Sequence, residues 1–144
     1  MAKRILVPTD GSEISQRAVL AAVQWAQLLG ADIVALSVKE PFPYSAISEV
    51  QIAPPQEYFD AQDRLANERV QYVAQAAKAA GLTCHCLTQE AVHPWEVIVA
   101  TAKAQACDLI VMASHGRRGL NALLLGSETQ KVLTHSDRPV LVIR

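Results

Sequence analysis

Ala113, Ser114, His115 and Gly116, followed after nine residues by Gly126 and Ser127, are the residues of this chain whose types and spacing point to chemistry. They place two glycine turns after an apolar strand and before a helix, where a parallel α/β sheet can hold a phosphate. Gly116 tolerates backbone angles and close contacts that a side chain would forbid. Ser127 reads as a helix N-cap, with Gln130 three residues on completing a capping box. A helix start leaves amides unpaired and carries the positive end of the helix dipole, so an anion can sit there without a lysine to hold it. The chemistry predicted is binding.

The elements that must position these turns alternate between strand and helix from end to end, the pattern of a parallel sheet covered by helices. Lys3 to Thr9 contains the buried run Ile5-Leu6-Val7 and breaks at Pro8 before the polar turn Thr9-Asp10-Gly11-Ser12. From about Ser12 to Leu29, Val19, Ala22, Ala26 and Leu29 recur at helical intervals, and Gly30 supplies a stop. A second strand is predicted from Asp32 to Val38, and the proline-rich segment Lys39 to Pro55 as a long surface excursion. A helix from Gln56 to Ala80 shows Val70, Val73, Ala77 and Ala80 on one face. Leu82 to Gln89 reads as strand three, and His93-Pro94 opens a helix to about Ala106. Asp108 to Met112 is strand four, Ser127 to His135 a last helix, and Pro139 to Ile143 a last strand.

Right-handed crossovers leave few windings for five strands and four helices, and a Rossmann-like, doubly wound α/β sheet of five parallel strands with helices on both faces is expected. In such sheets ligands sit beyond the carboxyl ends of the strands, where neighbouring crossovers leave on opposite faces. If the strand order is 3-2-1-4-5, that crevice lies between strands one and four. The turn Pro8, Thr9, Asp10, Gly11 would then face the turn Ala113 to Gly116, and two turns would form one site.

Size and composition set the frame. The 144 residues fit one domain spanning 1–144, and 13 basic against 14 acidic residues leave a net charge of −1. No global field draws the chain to nucleic acid or an anionic membrane. No stretch reaches the length of a signal-peptide core or a membrane span, so a cytoplasmic protein is expected. Three cysteines do not make a disulfide framework. Cys84 and Cys86 read as semi-buried thiols on one side of a strand, with no second ligand pair at zinc spacing, so no metal site is predicted.

Several motifs in order resemble a known family. Ile5 to Ser12 (ILVPTDGS), Asp108 to Leu120 (DLIVMASHGRRGL), Leu124 to Ser127 (LLGS) and Arg138 to Ile143 (RPVLVI) together resemble the universal stress proteins, over essentially the whole chain. The ATP-binding branch carries glycine, two residues, glycine, nine residues, glycine, then serine or threonine. Here Gly116, Gly126 and Ser127 match, and Ala113 stands in place of the first glycine. If that position needs a positive φ or contact with the ligand, the methyl obstructs; if its angles are those of a strand, it is harmless. The resemblance implies that Asp10 and its neighbours approach the nucleoside, that Val38 lines the adenine pocket, and that Gly116 and the amides of Gly126 to Thr129 hold phosphates. The full nucleotide-binding set it implies is Pro8, Thr9, Asp10, Val38, Met112, Ala113, Gly116, Arg117, Gly126, Ser127, Glu128 and Thr129, with ATP, ADP or AMP as ligand and magnesium as a companion ion.

Each residue also has a plainer reading. Glycines and serines make turns and caps without any ligand. Asp10 can bond to its own backbone, and Arg117 with Arg118 can be solvated loop residues. Glu128 suits the dipole of its own helix but repels a triphosphate unless it points away or shares magnesium. His115 has no motif-placed nucleophile beside it, and neither a Gly-x4-Gly-Lys-Ser/Thr loop nor a Gly-x-Gly-x-x-Gly follows strand one. Binding without rapid turnover is therefore the expected function. A same-fold interaction protein with a vacant site, and slow magnesium-dependent ATP hydrolysis near Asp10, are the alternatives. The apolar last strand, 140–143, at a sheet edge predicts a homodimer by antiparallel pairing with its twin.

Overall fold

Ile5, Leu6 and Val7 expose no surface at all, as a strand does when it is covered on both faces and paired on both edges. They form the heart of β1 (Arg4–Pro8) in a computed structural model that describes residues 3–43, 55–116 and 124–144. The chain continues through α1 (Glu13–Leu29), β2 (Asp32–Lys39), α2 (Gln56–Ala79), β3 (Cys84–Glu90), α3 (Pro94–Ala104), β4 (Leu109–Ala113), α4 (Ser127–His135) and β5 (Val140–Ile143). The five strands are parallel and run in the order β3-β2-β1-β4-β5, the order on which the expected crevice depends.

Two apolar layers follow from strand alternation. Ile5, Val7, Ile33 and Ala35 pack under α1 and α2 through Val19, Ala22, Val70 and Val73. Leu6, Val34, Leu36 and Met112 pack on the other face against Val97 and Ile98 of α3 and Val132 of α4. The crossovers on either side of β1 therefore leave on opposite faces, and the carboxyl ends of β1 and β4 part there. Among the described residues, no helix is long and apolar enough to cross a membrane. Most of the excursion predicted from Lys39 to Pro55 lies outside the described residues.

Several element ends differ from expectation by one or two residues, and three of them have a clear local reason. β3 starts at Cys84 rather than Leu82, because the Leu82 amide is tied back to the Ala77 carbonyl at the end of α2. β4 starts at Leu109 rather than Asp108, whose Oδ2 accepts the Lys3 and Arg4 amides at 2.7 and 3.2 Å and so staples the start of β1. These bonds, Lys3 first, hold the Asp108 carboxyl below its ordinary range. α3 stops at Ala104 because Ala106 turns left-handed, with φ 52, while the Cys107 amide reaches the Ala102 carbonyl. A helix end of this kind favours glycine, since an L side chain is strained there. Ala106→Gly is expected to raise unfolding free energy by about 0.5–1 kcal/mol, read from denaturant midpoints; a loss would show that the alanine is not strained.

Candidate functional site

The turn after β1 is built by its own hydroxyls and carboxylate. Thr9 is buried, its Oγ1 lies 3.1 Å from Ser15 Oγ, and it accepts the Gly11 amide at 3.2 Å. Asp10 Oδ1 accepts the Ser12 amide at 2.9 Å, the Asx turn of the plainer reading, and Ser12 Oγ in turn caps α1 at the Ser15 amide. This arrangement fixes the Asp10 carboxylate at the mouth of β1. Its second oxygen points across the sheet: a Cβ placed on Gly116 would lie 2.7 Å from Asp10 Oδ2. The two turns do face each other, and a side chain at 116 would push the Asp10 carboxylate from this position.

Beyond Gly116 the chain returns at Gly126, whose amide donates to the Ser114 carbonyl at 2.7 Å. That bond presses Gly126 against the preceding turn, where a Cβ would stand 3.1 Å from His115 Cα. It also sets the start of α4. The capping box expected of Ser127 and Gln130 is not formed: Gly126 (φ −62, ψ 154) is the cap residue, Ser127 is the first helical residue, and the Gln130 side chain donates to the Leu125 carbonyl. The first amide of the helix with a helical partner is that of Gln130, bonded to Gly126 O. The amides of Ser127, Glu128 and Thr129 precede it and have no partner within the helix.

The remaining predicted residues fall into distinct places. Thr129 is buried and its hydroxyl donates to the Ala113 carbonyl at 2.9 Å, so only its backbone belongs to the helix mouth. The carboxylate of Glu128 leaves the mouth entirely: Oε2 accepts the Trp95 amide at the start of α3, at 2.8 Å. Val38, near the end of β2, packs half-buried against the cluster that contains Met112, on the α3 and α4 face. Pro8 ends β1. Arg117 and Arg118 lie outside the described residues. His115 Nδ1 lies 3.2 Å from Ser114 Oγ, but Ser114 is buried, which denies that hydroxyl the exposure a nucleophile needs.

A second feature has no counterpart in the sequence reading. A cavity of about 410 Å³ lies between the Thr9 to Gly11 turn and α2, where Leu65, Glu68, Arg69 and Tyr72 bound it. These four recur at helical spacing, a signal present in the sequence but polar enough to pass for a solvated face. Burial, with Cys86 beside it, pushes the Cys84 thiol up to about 12, and burial pushes Cys107 to about 11. Neither is a ready thiolate. No cluster of three metal-ligating side chains occurs among the described residues.

The family model described as the universal stress protein family matches residues 1–144. The chain belongs to that family. It is similar to the universal stress protein MJ0531 of Methanocaldococcus jannaschii, 32% identical over 146 residues, covering 99% of this chain and 82% of the relative. The structure of MJ0577, from the same organism, matches with a TM-score of 0.82 at 28% identity, over 98% of this chain and 94% of that one. A universal stress protein crystallised in complex with cAMP matches with a TM-score of 0.73 at 26% identity, over 99% of this chain and 97% of that one.

In this universal stress protein the alanine at position 113 is the departure from the signature, and its surroundings bear on the backbone angles that position needs. Ala113 is the last residue of β4, has no positive φ, and is 8% exposed. It packs with Ile14 and Ala18 of α1, and Ile143 lies against the same cluster. The methyl is thus core material in a strand conformation. Ala113→Gly is expected to lower stability by about 1–2 kcal/mol, through backbone freedom and a lost buried methyl. Urea unfolding measures this, and a stability gain would mean that the alanine is strained.

Proposed function

We propose that this universal stress protein is a regulatory binding module for an adenine nucleotide, held between the turns after β1 and β4. The observation that carries the reading is the juxtaposition of the Asp10 carboxylate and Gly116 across the crevice, beside a helix start with no side-chain cap. Asp10 is placed to accept ribose or base hydrogen bonds. The amides of Ser127, Glu128 and Thr129 supply donors for phosphate oxygens, with the dipole of α4 behind them. Val38, half-buried, offers apolar surface for a base on the α3 and α4 face, with Met112 buried in the same cluster. The complex of a related protein with cAMP supports the ligand class. ATP, ADP and AMP all suit these donors.

The residues fit such a ligand on two further counts. Glu128, the carboxylate that would oppose phosphate, is turned toward α3. Ala113 keeps strand geometry and does not need a glycine's angles. Magnesium would arrive with the phosphates and meet one carboxylate, Asp10, one of whose oxygens already accepts the Ser12 amide. No catalytic step is assigned, and the output of binding would be a change of conformation or partner, in the cytoplasm.

A homodimer through β5 belongs to the same reading. Ile110 donates to Pro139 O and Ser114 to Ile143 O, so the backbones of residues 139, 141 and 143 turn toward β4. Those of Val140 and Val142 then face outward from the sheet edge. An apolar cavity of about 250 Å³ lined by Trp25, Leu109, Pro139, Val140 and Leu141 adjoins this edge.

Protein denatured after purification is expected to release an adenine nucleotide on chromatography, and calorimetry with ATP and AMP should register binding. Gly126→Val, which crowds His115, should abolish that binding without loss of helical content, while Ala113→Gly binds no tighter than the unmodified chain. No binding at millimolar ligand to the folded protein would refute the nucleotide reading. For the dimer, light scattering at micromolar protein should give twice the chain mass, and Val142→Pro, which removes an outward donor, should give the monomer. A monomeric unmodified protein would sink the assembly proposal.

A further inference from the structure

The start of α4 is the proposed phosphate cradle, yet the helix has little to hold it. Of its nine residues only Thr129 and Val132 are buried, and its cap residue supplies no side-chain bond. α3 has a matching deficit: His93 at its N-cap makes no side-chain cap bond, Pro94 follows, and the Trp95 amide is one of the orphan donors of that helix start. Glu128 answers both. Its Oε2 accepts the Trp95 amide at 2.8 Å, a bond between residues 33 positions apart in the chain. The Trp95 ring then stacks on His135 with 4.5 Å between centroids and 23° between planes. Glu128 and His135 are seven residues apart, two turns along one face of α4. Trp95 therefore grips the helix at its first turn through the backbone and at its last turn through the ring.

We propose that Glu128 is a positioning residue, which holds the first turn of α4 opposite Asp10 by capping α3 across the helix pair. The part of this proposal that concerns ligand affinity rests on the nucleotide reading above. A carboxylate in the first turn of a phosphate-binding helix is a poor neighbour for a triphosphate. Directed at the start of α3 instead, it meets the positive end of a second dipole and an unpaired amide. The same residue thus removes its charge from the mouth of α4 and fixes that mouth in place. Its useful property is the acceptor oxygen, with the charge secondary.

The test separates the acceptor from the charge. Glu128→Ala removes both, whereas Glu128→Gln keeps a carbonyl oxygen for the Trp95 amide. Amide hydrogen exchange along α4 should accelerate roughly tenfold in the alanine variant and stay near the unmodified rate in the glutamine variant, as expected for loss of one hydrogen bond whose acceptor glutamine retains. ATP affinity by calorimetry should fall about tenfold for alanine and be at least as tight as the unmodified protein for glutamine. Equal exchange in the alanine variant and the unmodified protein would overturn the proposal, as would a glutamine variant as impaired as alanine. If the alanine variant does not fold, Glu128→Asp, too short to span the helix pair, takes its place with the same expected losses. Should the unmodified protein bind no nucleotide, the nucleotide reading falls while the exchange measurement still decides the tether.

Discussion

Full enclosure of β1 is the constraint from which the rest of the architecture follows. A strand with no exposed surface at Ile5, Leu6 and Val7 must be paired on both edges and covered on both faces. Pairing with β2 on one side and β4 on the other splits the sheet into halves whose crossovers run in opposite senses, and the helices divide accordingly into α1 with α2 and α3 with α4. The carboxyl end of β1 is then the point where the covering helices diverge. Asp10 stands there as the first polar residue after β1 that is not buried, since Thr9 is enclosed.

Much of this was legible in the residues because it depends on periodicity. The run Ile5-Leu6-Val7, the stripe of α1 from Val19 to Ala26, and the left-handed Gly30 at its end are each set by a few neighbours in sequence. What escaped was set by contacts made far along the chain. Ser127 looks like a cap until the Gly126 amide is seen bonded to Ser114 O, which commits the cap to the glycine. Ala106 carries no sign of its left-handed turn, since alanine is otherwise a helix former. Glu128 gives no hint of Trp95. The expectation of semi-buried thiols holds for Cys84 but not for Cys86, which is exposed on β3 at the sheet edge.

Several groups that a motif would mark as ligand-binding serve instead to build the turns around the proposed site. The hydroxyls of Thr9, Ser12 and Thr129 and one oxygen of Asp10 are engaged in turn and strand bonds. Toward the proposed site these elements turn backbone, in the amides at the start of α4 and the close face of Gly116, alongside the Asp10 carboxylate. Family signatures written in glycine and serine therefore record backbone shape more than side-chain chemistry. A position such as 113 can change to alanine when its φ and its packing are those of a strand.

The placement of the chain's two tryptophans gives the molecule a pair of built-in optical reporters. Trp25, 43% exposed, borders the cavity at the β5 edge, while Trp95 lies stacked on His135 along α4. Covering the sheet edge would remove the first indole from water and shift its emission to shorter wavelength. Movement of α4 would alter the contact between the second indole and the imidazole that can quench it. Intrinsic fluorescence, resolved by replacing either tryptophan with phenylalanine, thus separates events at the edge of the sheet from events at its crevice, with no label attached.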